Sequence, residues 1–165
     1  MIIQELIKKI EKWAIDRELD KNGTVEGQLI KTAEEVSELI IGISKGNLKL
    51  IKDSIGDVFV TLVVGNMIDM HFDINNIYEI ANGGSFMRIN REYDLIHFAT
   101  QKIYELTKAE RYTKGHVGLM IENLLDVCEW YELDFIDCVE SAYKEIADRK
   151  GVVKNGTFIK EDDLI

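Results

Sequence analysis

The sequence predicts an all-α fold, an antiparallel bundle of helices. Apolar residues recur at three- and four-residue spacing over most of the chain, which is the pattern of amphipathic helices. Proline is absent, and the glycines fall at a few points that separate segments of helical length. The 165 residues, of which 46% are hydrophobic, suffice for a single domain over residues 1–165 with a sizeable core.

The first half of the chain is predicted to form three long helices and one short one. Residues 2–19 carry an apolar stripe that includes Trp13, and the ranges 25–45 and 48–70 repeat that pattern on either side of a short turn. Asp73 begins a polar and then aliphatic run to Ala81, as expected for the N-cap of a helix.

The second half is predicted to form three more helices and an arm. Two of these helices lie near 91–110 and 116–132, and Asp134 is predicted to cap a third that reaches Arg149. The segment 150–165 contains turn residues and a short run of apolar residues, so it is predicted to be a loop or a short C-terminal arm.

The acidic pattern of the first half recurs weakly in the second. The recurrence is either a degenerate internal repeat, giving two pseudo-symmetric helical hairpins, or the periodicity that all amphipathic helices share. The matching positions are Glu38, Asp53 and Asp57 in the first half, and Glu105, Glu122 and Asp126 in the second.

The overall composition excludes several classes of protein. A net charge of −10 removes the positive surface that a nonspecific nucleic-acid binder needs. No stretch of about twenty apolar residues predicts a membrane span, and the N-terminal residues lack the apolar core of a signal peptide. Cys128 and Cys138 form no CxxC pair, so neither a disulfide framework nor a zinc site is indicated. We therefore expect a reduced, cytoplasmic protein without nucleic-acid or membrane partners.

Residues 28–45 carry a polar seam between two apolar faces. Glu35 and Glu38 lie three residues apart on this seam, so their carboxylates can converge and would repel each other without a cation. The alternative is that these residues and Glu34 form an ordinary solvated face. The second apolar face, at Ile30 and Ile41, favours self-association as a homodimer or homotetramer.

The next helix favours the metal-site interpretation. Asp57 is the only charged residue between Asp53 and Asp69, so it is predicted to be largely buried and in need of a partner. Asp53 lies one turn earlier, and antiparallel packing of the two helices can bring both close to Glu35 and Glu38. A site made only of carboxylate oxygens favours Mg²⁺ or Mn²⁺, and a phosphate is the ligand expected with magnesium.

These residues also form recognisable motifs. The string Glu34-Glu35-Val36-Ser37-Glu38 and the later Ile55-Gly56-Asp57 resemble the EExxE and xGD motifs of MazG-like proteins, the all-α nucleoside triphosphate pyrophosphohydrolases. Residues 143–146, 149–151 and 156–161 resemble the closing segment of phage and bacterial members. Ser54 stands where the family commonly has a glutamate three residues before the aspartate, and the nearest acidic residue is Asp53.

The resemblance implies a Mg²⁺-dependent enzyme, with Mn²⁺ as the alternative, that cleaves a (d)NTP into a (d)NMP and pyrophosphate. Glu35, Glu38 and Asp57 would be metal ligands by position, with Asp53 replacing the usual glutamate. Glu35 and Glu38 would also act in catalysis, and Glu34 is either a base for the attacking water or a surface residue. The biological role would be nucleotide housecleaning or control of a nucleotide pool.

Further residues are candidates for binding the nucleotide. The basic side chains either neutralise phosphate oxygens or lie in solvent, and the aromatic ones either stack on a base or fill the core. The candidates are Trp13, Gln28, Lys31, Tyr143, Arg149, Lys150 and Lys160. Two other functions remain open: a noncatalytic helical interaction protein, and a hydrolase of the same fold that acts on a nucleoside diphosphate or a nucleotide-linked compound.

Overall fold

A computed structural model describes residues 1–83 and 95–164. Within these ranges the chain forms eight α-helices and one β-hairpin, so the predicted all-α bundle is confirmed. The helices are α1 (Ile3–Asp16), α2 (Leu19–Asn22), α3 (Val25–Lys45), α4 (Leu48–Asp69), α5 (Ile74–Asn82), α6 (Leu95–Leu106), α7 (Lys114–Tyr131) and α8 (Phe135–Ala147). The hairpin consists of β1 (Gly151–Lys154) and β2 (Thr157–Lys160), and a 3₁₀ turn follows at Glu161–Asp163.

The helix ends agree closely with the predictions. The side chains of Asp73 and Asp134 accept hydrogen bonds from the third amide of their helices, at 3.1 and 2.9 Å, as N-caps do. Two ends differ, because the first predicted helix stops at Asp16 before the separate turn α2, and α8 stops at Ala147. The first residues of the helix predicted near 91–110 lie outside the described ranges.

Helix α4 is the centre of the bundle. It packs against α1, α3, α7 and α8, and nearly every residue from Ile51 to Asn66 is buried apart from a few on one polar face. Each large aliphatic side chain buried here contributes about 1.5–3 kcal/mol. Helix α8 crosses α4 at Gly56, where an added methyl group would stand 2.7 Å from the Cβ of Ala142. The glycine therefore permits the close approach of these two helices.

The two halves of the chain pack in the same order. Helix α3 lies on α4 and α6 lies on α7, while the third helix of each half packs on the other half, α8 on α4 and α5 on α7. The connections also match, since His71 (φ 55°) and Glu132 (φ 54°) are left-handed residues two positions before the capping aspartates. This arrangement is the one that an internal repeat of two helical hairpins would produce.

The C-terminal arm is a β-hairpin that is tied to the start of α3. Gly151 pairs with Lys160 in an antiparallel register, and Asn155 (φ 54°) and Gly156 (φ 79°) form the tight turn. The carbonyl oxygen of Gly156 accepts a hydrogen bond from the amide of Thr24 at 3.0 Å. The hairpin is thereby held beside the polar face of α3.

Candidate functional site

The acidic residues of α3 and α4 face each other because of the turn between the helices. Gly46 ends α3 in the left-handed conformation (φ 61°), and the Asn47 side chain caps α4 by accepting a hydrogen bond from the Leu50 amide at 3.2 Å. A connection this short makes the helices antiparallel neighbours. The polar seam of α3 and the polar face of α4 therefore border the same space.

That space is a cavity of about 430 Å³. Helices α3 and α4 form its acidic side, while the end of α8, Trp13 and the hairpin form the rest. Its lining includes seven carboxylates, those of Glu34, Glu35, Glu38, Asp53, Asp57, Glu145 and Asp163. Its cationic side chains are Lys31, Arg149 and Lys160. The remaining predicted site residues in the lining are Trp13 and Gln28.

Asp57 is the most perturbed carboxyl group of the cavity. Burial, together with the negative charges of Glu35, Glu145 and Asp53, raises its pKa from 3.8 to about 7, against the opposing effect of Arg149. Within the described ranges, no hydrogen bond or ion pair reaches its carboxylate. An ionised, largely buried carboxylate with acidic neighbours is in a position that a cation would stabilise.

Glu35 shares this electrostatic environment. Burial is the main cause that raises its pKa, and the charges of Glu38 and Glu34 act in the same direction, while Lys31 opposes them. The Lys31 ammonium lies 2.6 Å from Glu34 Oε2 and 3.4 Å from Glu35 Oε1. A lysine thus supplies the positive charge next to two of the carboxylates of the first motif.

The second motif presents Asp53, and not Ser54, to the cavity. Asp53 lines the cavity one turn before Asp57. Ser54 is only 1% exposed, and its hydroxyl has no hydrogen-bond partner within the described residues. An acidic residue therefore lies on the cavity side of α4, one position before Ser54.

The cations on the opposite wall come from the residues that follow α8 and from the hairpin. Arg149 Nη2 lies 2.5 Å from Glu145 Oε1, and the backbone carbonyl of Arg149 accepts hydrogen bonds from the Arg17 guanidinium at 2.6 and 2.9 Å. Lys160 is exposed at the end of β2 and forms no hydrogen bond or ion pair with another described side chain. Arg149 and Lys160 thus bring two positive charges to this wall, which also carries the carboxylates of Glu145 and Asp163.

Trp13 forms part of the wall and is fixed by packing. It is 8% exposed, and its indole N–H donates to the carbonyl of Ile146 at 2.8 Å. The ring meets Phe158 edge to face at 5.4 Å, and the Arg17 guanidinium lies 4.8 Å from its centre. The two alternatives predicted for Trp13, stacking on a base and filling the core, are therefore compatible, because its ring packs in the core and also borders the cavity.

At the inner end of the cavity, buried polar side chains form a network of hydrogen bonds. Gln28 Nε2 donates to the carbonyl of Thr61 at 3.2 Å, and the Thr32 hydroxyl lies 2.9 Å from Thr61 Oγ1 and 2.7 Å from the Tyr112 hydroxyl. The Tyr112 ring lies against Gly65 of α4, where any side chain would overlap it. Gln28 and Thr61 belong to the cavity lining, so these hydrogen bonds join α3 and α4 beside the cavity.

Two predicted substrate-binding residues lie away from the cavity lining. Tyr143 is half-buried on another side of α8, with the Lys9 ammonium 5.7 Å from its ring centre. Lys150 is exposed between α8 and the hairpin. Conversely, sequence reasoning missed Glu145, although it lies four residues before Arg149, the spacing at which two side chains meet when a helix continues that far.

The carboxylates are spread around the cavity. Over residues 1–83 and 95–164, no group of three or more potential ligands lies close enough to hold a metal ion as placed. The donor chemistry nevertheless suits Mg²⁺ or Mn²⁺, since every candidate ligand is a carboxylate oxygen. The buried and unpaired carboxylate of Asp57 is the observation that fits such a cation best.

Membrane insertion of a helix has no structural support in the part of the chain that is described. None of the helices there combines the length and the apolar composition that crossing a bilayer requires.

Comparison with known proteins gives one partial relative. No protein-family model matches the chain, and no solved structure matches it. Over 62 residues the chain is 50% identical to a protein of Haemophilus phage HP1 (strain HP1c1) that is described as an uncharacterized 18.2 kDa protein in the rep-hol intergenic region. The similar segment spans 38% of this chain and 38% of the phage protein.

Proposed function

We propose that this protein is a Mg²⁺-dependent nucleotide pyrophosphohydrolase of the MazG-like type, which cleaves a (d)NTP into a (d)NMP and pyrophosphate. The observation that carries the proposal is that the acidic residues of both motifs line one and the same cavity. Glu35 and Glu38 line it from α3, and Asp53 and Asp57 line it from α4. Residues of two successive helices, selected by their resemblance to catalytic motifs, thus border one space.

The charge of the cavity supports a cation-dependent reaction. Its seven carboxylates outnumber its three cationic side chains, so a bare triphosphate would be repelled at short distance. Glu35, Glu38, Asp53 and Asp57 would hold Mg²⁺, or Mn²⁺ in its place. When bound, the ion supplies charge neutralisation at the phosphates and activation of water.

The side chains on the other walls have roles that their chemistry suits. Lys160 and Arg149 would contact phosphate oxygens from the side opposite the carboxylates. Trp13 and Phe158 present an apolar surface on which the nucleoside would pack, and the amide of Gln28 lies at the inner end of the same cavity.

Hydrolysis needs one proton acceptor. Glu34 is 55% exposed and lies next to the proposed metal ligands, so it would accept a proton from the water whose oxygen attacks the α-phosphorus. The bond between that phosphorus and the bridging oxygen breaks, and pyrophosphate leaves with the electron pair. This assigns the base role to Glu34, with Glu35 and Glu38 as ligands.

The proposal is tested by measuring pyrophosphate release from a panel of ribo- and deoxyribonucleoside triphosphates with Mg²⁺ or Mn²⁺. Release should require the metal and should fall at least about a hundredfold in Glu38→Gln. Glu26→Gln is the matched control, because Glu26 is exposed on α3 outside the cavity. Release from diphosphates alone would favour the related hydrolase, and no release from any nucleotide by a folded protein would favour the noncatalytic interaction protein.

Self-association and location complete the proposal. Ile30 is 67% exposed and Ile41 is 44% exposed on the outer face of α3, which supports a homodimer or homotetramer buried across that face. Sedimentation at micromolar concentration should show it, and a monomer there would contradict it. The protein would act in the cytoplasm on free nucleotides, in housecleaning or pool control.

A further inference from the structure

Lys31 occupies a particular place among the cations of the cavity. Its ammonium contacts Glu34 at 2.6 Å and Glu35 at 3.4 Å, whereas Arg149, two residues after the end of α8, pairs with Glu145 of that helix. The Lys31 side chain is 25% exposed and that of Glu35 is 16% exposed, so this pair is shielded from water. Among the cationic side chains of the cavity, Lys31 is the one that pairs with carboxylates of the first motif.

A divalent cation and this ammonium would compete for the same oxygens. Glu35 is needed as a metal ligand in the proposed function, yet one of its oxygens already faces a positive charge. Two cations within a few ångströms of one carboxylate repel each other strongly. The positive charge of Lys31 next to Glu35 therefore opposes binding of the metal, and withdrawal of the ammonium would favour it.

The ammonium group of Lys31 can move to another position in the cavity. Lysine carries its charge on a flexible four-carbon stem, so the ammonium can move by several ångströms without a change in the backbone. Lys31 lies one turn closer than Glu34 and Glu35 to the inner end of the cavity, where Gln28 and Thr61 are found. A released ammonium would thus remain inside the cavity.

We propose that Lys31 is an exchangeable counter-ion, which neutralises Glu34 and Glu35 in the metal-free protein and is displaced by a divalent cation to bind a phosphate of the substrate. The inference rests on the proposed function and adds an order of events to it. Metal binding and phosphate recognition are linked, because the ion that occupies the carboxylates also frees the cation that binds the phosphate. In the absence of nucleotide, Lys31 acts only through the carboxylates of Glu34 and Glu35 and contacts no reacting group.

The exchange predicts that loss of the Lys31 charge changes the affinity for the metal and the affinity for the metal–triphosphate complex in opposite directions. Removal of the Lys31 charge takes away a competitor of the metal, so affinity for the metal alone should rise. The same change removes a phosphate contact, so affinity for the metal–triphosphate complex should fall. A residue with only a structural role would not move the two affinities in opposite directions.

The experiment is a calorimetric titration of the full-length protein with Mn²⁺ alone, without nucleotide. Lys31→Met should bind Mn²⁺ about tenfold more tightly than the wild type. Lys160→Met is the matched control, since Lys160 carries the same charge in the same cavity but pairs with no described carboxylate; its Mn²⁺ affinity should change by less than about threefold. Lys31→Arg keeps the charge and should bind Mn²⁺ as the wild type does, which guards against a folding defect in Lys31→Met.

A second titration uses a non-hydrolysable triphosphate analogue at saturating Mn²⁺, where Lys31→Met should bind about tenfold more weakly. The inference is overturned if Lys31→Met binds Mn²⁺ no more tightly than Lys160→Met. That outcome leaves the proposed function intact, provided that the wild type binds Mn²⁺ and releases pyrophosphate. If neither the wild type nor Lys31→Met binds Mn²⁺, both the inference and the proposed function are wrong.

Discussion

Gly27 on α3 lies against the carbonyl oxygen of Gly156 in the hairpin turn, so closely that a methyl group at residue 27 would stand 2.6 Å from that oxygen. The same methyl group would stand 2.6 Å from Thr157 Oγ1. The hairpin carries Phe158 and Lys160 into the cavity. The absence of a side chain at one position of α3 therefore allows the hairpin to lie against α3 and close that side of the cavity.

Replacement of Gly27 by alanine should push the hairpin away from α3. We expect a loss of stability of about 1–3 kcal/mol from the overlap, less the roughly 1 kcal/mol by which alanine favours a helix. Because Lys160 moves with the hairpin, KM for the nucleotide should rise while Mn²⁺ affinity stays close to that of the wild type. Thermal unfolding, pyrophosphate release and Mn²⁺ titration measure the three quantities.

Gly115→Ala is the control for this prediction. Gly115 lies in the first turn of α7, and a methyl group there would meet nothing within 4 Å. That variant should keep or slightly raise the melting temperature and should leave KM unchanged. Equal behaviour of the two variants would contradict a specific contact between α3 and the hairpin.

Ser54→Ala should stabilise the protein. The Ser54 hydroxyl is buried without a hydrogen-bond partner in the described structure, and a buried unsatisfied polar group costs about 1–3 kcal/mol. We expect a gain of about 1 kcal/mol in the free energy of unfolding, with unchanged Mn²⁺ affinity because the side chain lies outside the cavity lining.

Thr32→Val is the opposite case among buried hydroxyl groups. The Thr32 hydroxyl contacts Thr61, Tyr112 and the carbonyl of Gln28, so its removal should cost about 1–3 kcal/mol. Urea unfolding of both variants gives the comparison. A destabilised Ser54→Ala would show that its hydroxyl is bonded in solution.

The two motif helices and their connection were predictable because the signals are local. Capping residues, the Gly46-Asn47 turn and a lone charge on an apolar helix are all visible within a few residues. An antiparallel pair with acidic residues at those positions has few alternatives, and α3 and α4 duly border one cavity with Glu35 and Asp57 in its lining.

The opposite wall was less predictable because it depends on the rotation of α8 about its axis. Residues in a helix turn by about 100° each, so Tyr143 and Glu145 point to nearly opposite sides. Which side faces the cavity is decided by the contact of α8 with Gly56 of α4. That contact joins residues some eighty positions apart, and helical periodicity contains no information about it.

If the proposed function is correct, Asp53→Asn should weaken metal binding, since Asp53 would take the place of the glutamate ligand that MazG-like proteins commonly have in the second motif. We expect Mn²⁺ affinity to fall at least about tenfold and pyrophosphate release to fall with it. The matched control is Asp20→Asn, which removes the same charge from an exposed position on α2. Wild-type Mn²⁺ affinity in Asp53→Asn would remove Asp53 from the site and leave three ligands.

The stability of the metal-free protein should depend on pH through Asp57. Its pKa is about 7 in the folded protein, against 3.8 for an ordinary aspartate, so between about pH 4 and 7 the folded state holds a proton that the unfolded state has lost. The free energy of unfolding therefore falls as the pH rises through this window. The part due to Asp57 is on the order of 4 kcal/mol.

Asp57→Asn should remove that part of the pH dependence. In the presence of a chelator, the variant should be more stable than the wild type at pH 8, where the wild-type carboxylate is ionised, and the difference should shrink towards pH 5. Added Mg²⁺ should stabilise the wild type at pH 8 by mass action and should have little effect on the variant. Urea unfolding at both pH values, with chelator and then with Mg²⁺, measures each difference. Parallel pH profiles for the two proteins would mean that Asp57 is ionised without cost in the folded state, and the electrostatic argument for a cation beside it would then fail.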